Sequence, residues 1–174
     1  MPMTDIYRPD EWHDYFITVG GAAAALTGLV FVAMSLNPNL IARDPTHRRR
    51  AVGTIAGFTA IFMICGLGVM GGQDHQAVGL EWLIVSAAAG IVYVYGYVQA
   101  IRLGGSSVGL QTPRLIGGTA LHLVEIAGAA LLFGEYVAGL YVAAISMIGL
   151  LAFMISGAWL LIMGIRTTAE SRND

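Results

Sequence analysis

His122 and Glu125 are the two side chains best placed to do chemistry, because both are ionisable and both interrupt a long apolar stretch. That stretch reads LIGGTALHLVEIAGAALLFG and lies between Arg114 and Glu135. A spacing of three residues puts the two side chains on one face of a helix. If the helix crosses a bilayer, both lie near the midplane, where an ionisable group costs about 2.5 to 3.5 kcal/mol on insertion scales. Such an expensive pair predicts a functional site.

Three kinds of chemistry fit this pair. It can join helices through hydrogen bonds, as polar groups do in membrane proteins. It can take up and release a proton, since histidine is the side chain whose charge changes nearest to neutral pH. It can also contribute to a metal or haem site, but the sequence lacks the second Glu-x-x-His and the extra carboxylates of bundle metal sites. We predict a proton or small-ion path through His122 and Glu125, with no metal and no cofactor.

The composition indicates that lipid is the solvent of this chain. Of its 174 residues 56% are hydrophobic and 11% are charged, whereas charged residues make up roughly 25% of an average soluble domain. A chain this short cannot hide so much apolar surface in one water-exposed core. The net charge of -2 argues against nucleic acid as a partner. Cys65 is the only cysteine, which excludes intrachain disulfides.

The apolar intervals predict an all-α membrane bundle of five transmembrane helices. A spanning helix needs about 20 mostly apolar residues, and five intervals qualify: 16–37, 51–72, 82–101, 115–134 and 136–165. Proline is favoured at the first position of a helix, so we expect helices to start at Pro9, Pro45 and Pro113. No repeat or linker divides the chain, which predicts a single transmembrane domain over residues 1–174.

The basic residues predict the orientation, because short loops rich in arginine stay in the cytoplasm. All nine basic residues are arginines, and eight of them fall on one side of the five-span arrangement: Arg43, Arg48, Arg49, Arg50, Arg102, Arg114, Arg166 and Arg172. The N-terminus is therefore expected outside and the C-terminus inside. Aromatic side chains at the opposite, outer ends of the spans are expected to anchor that interface, namely Trp12, Tyr15, Trp82, Tyr136 and Tyr141.

Stripes of small residues predict where helices approach one another closely. Gly20, Ala24 and Gly28 recur every four residues in the first span, and Gly53 and Gly57 form a G-x-x-x-G pattern in the second. Five helices give little room for a conduction path, so we expect a homo-oligomer. The alternative function is a non-transporting scaffold or accessory subunit that docks another membrane protein through these faces.

Two further groups of polar residues are candidates for binding. The three consecutive arginines Arg48, Arg49 and Arg50 are suited to anionic lipid headgroups. On the predicted outer side, a second group could receive a proton or cation from outside: His13, Asp14, Asp74, His75 and Glu81. No nucleophile elbow, Walker loop, zincin motif or dinucleotide fingerprint occurs in the sequence. We predict that the protein is not an enzyme.

The segment from Trp12 to Ile41, WHDYFITVGGAAAALTGLVFVAMSLNPNLI, carries an aromatic start, a Gly/Ala-rich helix and a Ser-Leu-Asn ending. In these features it resembles an uncharacterised family of small bacterial multi-spanning membrane proteins. The resemblance covers about one span. It implies a bacterial inner (plasma) membrane protein with several helices, and it implies no activity.

Overall fold

A computed structural model describes residues 8–36, 45–102 and 108–170, and these residues form five α-helices. The helices are α1 (Pro9–Ser35), α2 (Pro45–Gly68), α3 (His75–Arg102), α4 (Val108–Phe133) and α5 (Ala138–Glu170). Each contains a segment long and apolar enough to cross a membrane, and the described ranges contain no strand. The predicted all-α fold with five spanning helices is therefore confirmed, and the chain is a multi-pass membrane protein.

The start of α1 follows the local sequence closely. Pro9 opens the helix, and the acidic side chains of Asp10 and Glu11 occupy its first turn. Negative charge there interacts favourably with the positive end of the helix dipole. The Arg8 guanidinium also forms an exposed ion pair with Glu11 at 2.6 Å. The second helix likewise begins at a proline, Pro45, as predicted.

Two helices begin earlier than predicted. The third starts at His75 rather than near residue 82, because the Asp74 carboxylate accepts a hydrogen bond from the Ala77 backbone N–H at 2.7 Å and so caps the first turn. The fourth starts at Val108, and Pro113 lies inside it. The prediction that Pro113 opens this helix is wrong. Pro113 is the sixth residue of α4, beyond the first four whose N–H groups lack partners, so the helix forgoes one backbone hydrogen bond there.

The five helices run alternately up and down and pack mainly against their neighbours in the chain. Glycines let the backbones of two helix pairs come close at three places: a Cβ at Gly79 would meet Phe133 between α3 and α4, and those at Gly128 and Gly139 would meet Ala143 and Leu132 between α4 and α5. The fifth helix also packs against the second and the first. These contacts enclose one hydrophobic core of buried side chains.

The two ends of the bundle differ in charge, and we name them by it. The acidic end carries Asp10, Asp14, Asp74 and Glu135, and the arginine end carries Arg48, Arg49, Arg102 and Arg114. Aromatic residues fill the core beneath the acidic end, where the Phe16 and Trp82 rings meet edge to face at 5.7 Å. Trp82 is 1% exposed, so the prediction that it anchors the membrane interface is wrong.

Candidate functional site

His122 and Glu125 lie together inside the bundle, in the middle of α4. Each is 2% exposed, and His122 Nδ1 is 3.6 Å from Glu125 Oε2. That separation is an ion-pair contact that exceeds the length of a good hydrogen bond. Within the described residues, neither nitrogen of His122 and neither carboxylate oxygen of Glu125 has a hydrogen-bond partner. The pair is buried, adjacent and unsatisfied.

Polar groups of other helices lie in the same part of the bundle as Glu125. The Tyr15 hydroxyl of α1 donates a hydrogen bond to the Ala144 carbonyl of α5 at 2.7 Å, and the Cys65 thiol of α2 lies 4.0 Å from Met147 Sδ of α5. The antiparallel pairing of α3 with α4 brings Ser86 to the level of Glu125 and Trp82 one turn nearer the acidic end. Ser86 Oγ and Trp82 Nε1 are buried, and neither has a hydrogen-bond partner among the described residues. Ser86 and Trp82 are therefore further buried polar groups at or near the level of the carboxyl group.

The sequence does not indicate that Trp82 or Ser86 lies near this site. A tryptophan near the predicted start of a span is typical of an interface residue, and an isolated serine in an apolar helix has many uses. Their four-residue spacing on α3 is the signal that places both on one face. Only the pairing of α3 with α4 shows that these two buried residues lie at or near the level of Glu125.

His122 faces a different environment on its other side. It lines an apolar groove of about 570 Å³ between α3 and α4, together with Gly90, Thr119 and Arg102. Because Gly90 has no side chain, space remains beside the His122 ring, and a Cβ there would lie 3.6 Å from His122 Cβ. The Tyr93 ring lies 5.4 Å from the imidazole. His122 thus bridges the polar interior and a groove that opens to the membrane.

The predicted outer residues occur at the acidic end with separate local partners. Asp74 caps α3, His75 Nε2 lies 3.5 Å from Glu135 Oε1, and Glu81 accepts a hydrogen bond from Gln73 at 2.8 Å. His13 and Asp14 are exposed on α1. In residues 8–36, 45–102 and 108–170, no three His, Cys, Asp or Glu side chains come close enough to hold a metal ion.

The predicted packing residues divide into two groups. Gly20, Gly53 and Gly57 are buried, and a Cβ at Gly20 would come within 2.8 Å of Cys65 Cβ. Ala24 and Gly28 are exposed on α1, and nothing lies within 4 Å of a Cβ built at Gly28. Within the small-residue stripe of α1, the contact with α2 is therefore at Gly20 and not at Gly28.

Among the arginines predicted to meet lipid headgroups, Arg48 is exposed and Arg49 is half-buried, while the Arg50 side chain lies outside the described atoms. Arg114 joins the fourth helix to the fifth, which the sequence does not reveal. Its guanidinium donates hydrogen bonds to the Phe153 carbonyl at 3.1 Å and the Ser156 hydroxyl at 3.2 Å. It also lies 4.8 Å from the centre of the Phe153 ring, a cation–π distance.

The chain matches no protein-family model, no curated protein and no solved structure. The site contains one carboxylate and one imidazole in contact, with hydroxyls, a thiol and an indole N–H on neighbouring helices at similar levels of the bundle. Such a set suits uptake and release of a proton better than it suits a divalent cation, which requires several carboxylate or carbonyl oxygens.

Proposed function

We propose that the protein moves protons or a small ion across the membrane, with Glu125 as the group that binds and releases a proton and His122 as its partner. One observation carries the proposal: the two side chains touch inside the bundle, yet neither makes a hydrogen bond to any described group. A purely adhesive pair gains stability by satisfying its polar atoms. An unsatisfied pair lowers stability, and such costs are characteristic of functional sites.

The position of the pair supports the same proposal. Glu125 lies in the middle of α4, and between its level and the acidic end are the buried polar atoms of Ser86 and Trp82 and the Tyr15 hydroxyl, which donates to the Ala144 carbonyl. From His122, the proposed proton path continues toward the arginine end along the groove beside Thr119. Transfer of a proton between Glu125 and His122 would join the two halves of this path, because the imidazole can accept a proton on one nitrogen and release it from the other.

The cellular setting is part of this proposal. We place the protein in a bacterial inner membrane, with the acidic end outside and the arginine end in the cytoplasm, because short arginine-rich loops are retained there. Anionic lipids would surround Arg48 and Arg49. We further propose a homo-oligomer, since α1 buries the smallest share of its spanning segment among the five helices.

Flux through reconstituted vesicles tests the proposal. Glu125→Gln keeps the shape of the side chain and removes its ionisable group, so proton flux driven by a pH gradient should fall at least tenfold. Glu11→Gln is the matched control, because Glu11 is exposed at the start of α1, and its flux should equal that of the wild type. Unchanged flux in Glu125→Gln, or wild-type vesicles impermeable to protons, Na⁺ and K⁺, would reject transport.

A scaffold that docks another membrane protein is the second candidate. It is favoured by the exposed small-residue face of α1, where nothing lies within 4 Å of a Cβ built at Gly21 or Gly28. Such faces let a second helix approach closely. Under this function Glu125→Gln leaves every measurable property nearly unchanged, whereas leucine at Gly28 abolishes association. Glu125→Gln therefore separates the candidates, since a homo-oligomeric transporter would also lose association in Gly28→Leu.

A further inference from the structure

The groove between α3 and α4 has the shape and the lining of a site for one acyl chain. Its volume is about 570 Å³, within the usual range of roughly 300 to 1,000 Å³ for ligand pockets. It is open at the side of the bundle, where Ile91, Tyr95 and Leu123 line it and are largely exposed. Because this side of the bundle faces the hydrocarbon of the membrane, an occupant must enter from lipid.

The length of the groove matches the depth of one leaflet. On α3 its wall extends from Ala87 to Arg102, and a rise of 1.5 Å for each of the intervening residues gives about 22 Å. A bilayer measures about 40 to 45 Å with its headgroup regions, so one leaflet is about 20 to 22 Å deep. The pairing of α3 with α4 puts Ala87 near the level of Glu125, in the middle of the bundle, and Arg102 lies at the arginine end. A lipid of that leaflet could therefore extend from Arg102 to Ala87.

Two hydrogen-bond donors line the arginine end of this groove. Arg102 is exposed there, and Gln99, one turn before it on the same face of α3, is half-buried. In the described part of the chain, neither side chain has a hydrogen bond or an ion pair with another residue. The Arg102 guanidinium is accessible, and its N–H groups form a fork that fits the oxygens of a phosphate. This end of the groove is therefore suited to a phosphate headgroup.

The charge of Arg102 determines which headgroup fits best. Every carboxylate whose side chain the structure describes lies at the acidic end or, in the case of Glu125, in the middle of the bundle. No described carboxylate is therefore available to balance Arg102, whereas a headgroup of net negative charge would balance it. A zwitterionic headgroup would also bring an ammonium group, which finds no described carboxylate at this end. The groove thus favours an anionic phospholipid.

A second groove provides an internal comparison. It lies between α2 and α3, has a volume of about 490 Å³, and is lined mainly by apolar side chains such as Ile55 and Met63. Its described lining includes the exposed Thr59 and no charged side chain. On α3 its wall covers only Ile84 to Val92, which ends about three turns before Arg102. An acyl chain can lie in either groove, but only the longer groove ends at a cation.

We propose that the groove between α3 and α4 binds one acyl chain of an anionic phospholipid from the leaflet at the arginine end. The phosphate accepts hydrogen bonds from Arg102 and Gln99, and the chain follows the apolar wall as far as Ala87. Binding does not rest on ion movement through Glu125, although a chain beside Thr119 would exclude water from that part of the proposed proton path.

Thermal unfolding of the purified protein in dodecylmaltoside, followed by circular dichroism, tests this binding. The probes are dioleoylphosphatidylglycerol and dioleoylphosphatidylcholine, which share both chains and differ in the net charge of the headgroup. A ligand that binds the folded state raises the midpoint of unfolding, and we expect phosphatidylglycerol to raise it by about 2 to 4 °C more than phosphatidylcholine. Sodium oleate, a single chain with a carboxylate, should raise it less. Equal shifts with the two phospholipids, or an oleate shift as large as that of phosphatidylglycerol, would overturn the proposal.

Three variants test the headgroup end. Arg102→Gln should remove most of the difference between the two phospholipids, and Arg102→Lys, which keeps the charge, should retain much of it. Arg48→Gln is the matched control, because Arg48 is exposed at the same end and lines neither groove. It should keep the full difference. A full difference in Arg102→Gln, or an equal loss in Arg48→Gln, would mean that the arginine end attracts anionic lipid only in general.

Two neighbouring alanines test the position of the chain. Ala87→Leu fills the deep end of the groove between α3 and α4 and should reduce the phosphatidylglycerol shift. Ala88→Leu, in the second groove, should leave that shift unchanged. A shift that survives Ala87→Leu in full, or one that Ala88→Leu reduces as much, contradicts the assignment to this groove. None of these results depends on whether vesicles conduct protons.

Discussion

The Tyr93 hydroxyl of α3 donates a 2.6 Å hydrogen bond to the backbone carbonyl of Arg114 on α4. The ring can reach that carbonyl because Gly118, one turn further along α4, has no side chain. A Cβ at Gly118 would overlap the Tyr93 hydroxyl. This interlocking sets the separation of α3 and α4 at the arginine end, and it also positions His122, whose ring contacts Tyr93.

The contact between Tyr93 and Gly118 predicts unequal effects of two small substitutions. Tyr93→Phe removes one hydrogen bond and should lower the free energy of unfolding by about 0.6 kcal/mol, the typical value within membranes. Gly118→Ala forces the helices apart and should cost about 1 to 3 kcal/mol. Tyr95→Phe, at an exposed position of the same helix, is the control. Thermal unfolding in detergent measures all three, and a cost for Gly118→Ala no larger than that for Tyr93→Phe would contradict the close packing.

Leucine at two glycines of α1 should separate folding from association. Gly20→Leu collides with Cys65 and should destabilise the isolated bundle by about 1 to 3 kcal/mol. Gly28→Leu meets nothing within the chain, so it should leave the melting temperature unchanged and reduce the size of the complex on gel filtration. Leu29→Val, exposed on α1 but turned about 100° around the helix from Gly28, should change neither. If Gly28→Leu migrates like the wild type, this face of α1 is not an interface between copies.

Asp74 should prove to be a structural residue. Its carboxylate caps α3, so Asp74→Ala should lower stability by about 1 kcal/mol, whereas Asp74→Asn should retain most of the cap. Proton flux corrected for the amount of folded protein should be the same for both variants. A loss of flux in Asp74→Asn at full stability would instead place Asp74 on the ion path.

Replacing Glu125 with an apolar residue should stabilise the fold. The carboxyl is buried without a hydrogen bond, and substituting methionine of similar length removes the cost of an unsatisfied polar group, about 1 to 3 kcal/mol. Glu125→Met should therefore melt at a higher temperature and conduct no protons. Met147→Leu, at another fully buried position, controls for general repacking. A marked fall in melting temperature for Glu125→Met would show that the carboxyl binds its surroundings more tightly than its geometry indicates.

Cysteine labelling in intact cells tests the orientation. Cys65 is buried, so a membrane-impermeant maleimide should react mainly with cysteines introduced at exposed sites. Asp10→Cys should be labelled from outside, and Arg48→Cys only after the cells are made permeable, because arginine-rich loops are retained in the cytoplasm. Labelling of Arg48→Cys in intact cells would reverse the proposed topology.

Much of the fold is predictable from composition and spacing, because a segment that crosses lipid must satisfy its own backbone hydrogen bonds. Each span must be helical and apolar over about 20 residues, and all five spans meet that condition in the sequence. Helix ends are less predictable, since they depend on local bonds. The cap formed by Asp74 extends α3 by two turns beyond its apolar stretch, and α4 continues through Pro113.

The candidate site is predictable only in part. The three-residue spacing of His122 and Glu125 is sufficient to place them on one face, and the structure brings them into contact. The contributions of Trp82, Ser86 and Tyr15 depend on how three helices pair, which no local pattern encodes. The groove beside His122 likewise depends on the pairing of α3 with α4, which brings Gly90 opposite His122.

The short connection between α4 and α5 bears on how a buried carboxyl enters lipid during biosynthesis. Its backbone is bonded within itself, with the Tyr136 N–H donating to Leu131 O at 2.9 Å and Glu135 in the left-handed conformation at φ 69. Two helices joined this tightly can leave the translocation machinery together as a hairpin. Insertion as a hairpin would bring Glu125 into hydrocarbon with α5 already packed against α4 at Gly128, and it would lower the energetic barrier that a lone α4 faces during synthesis.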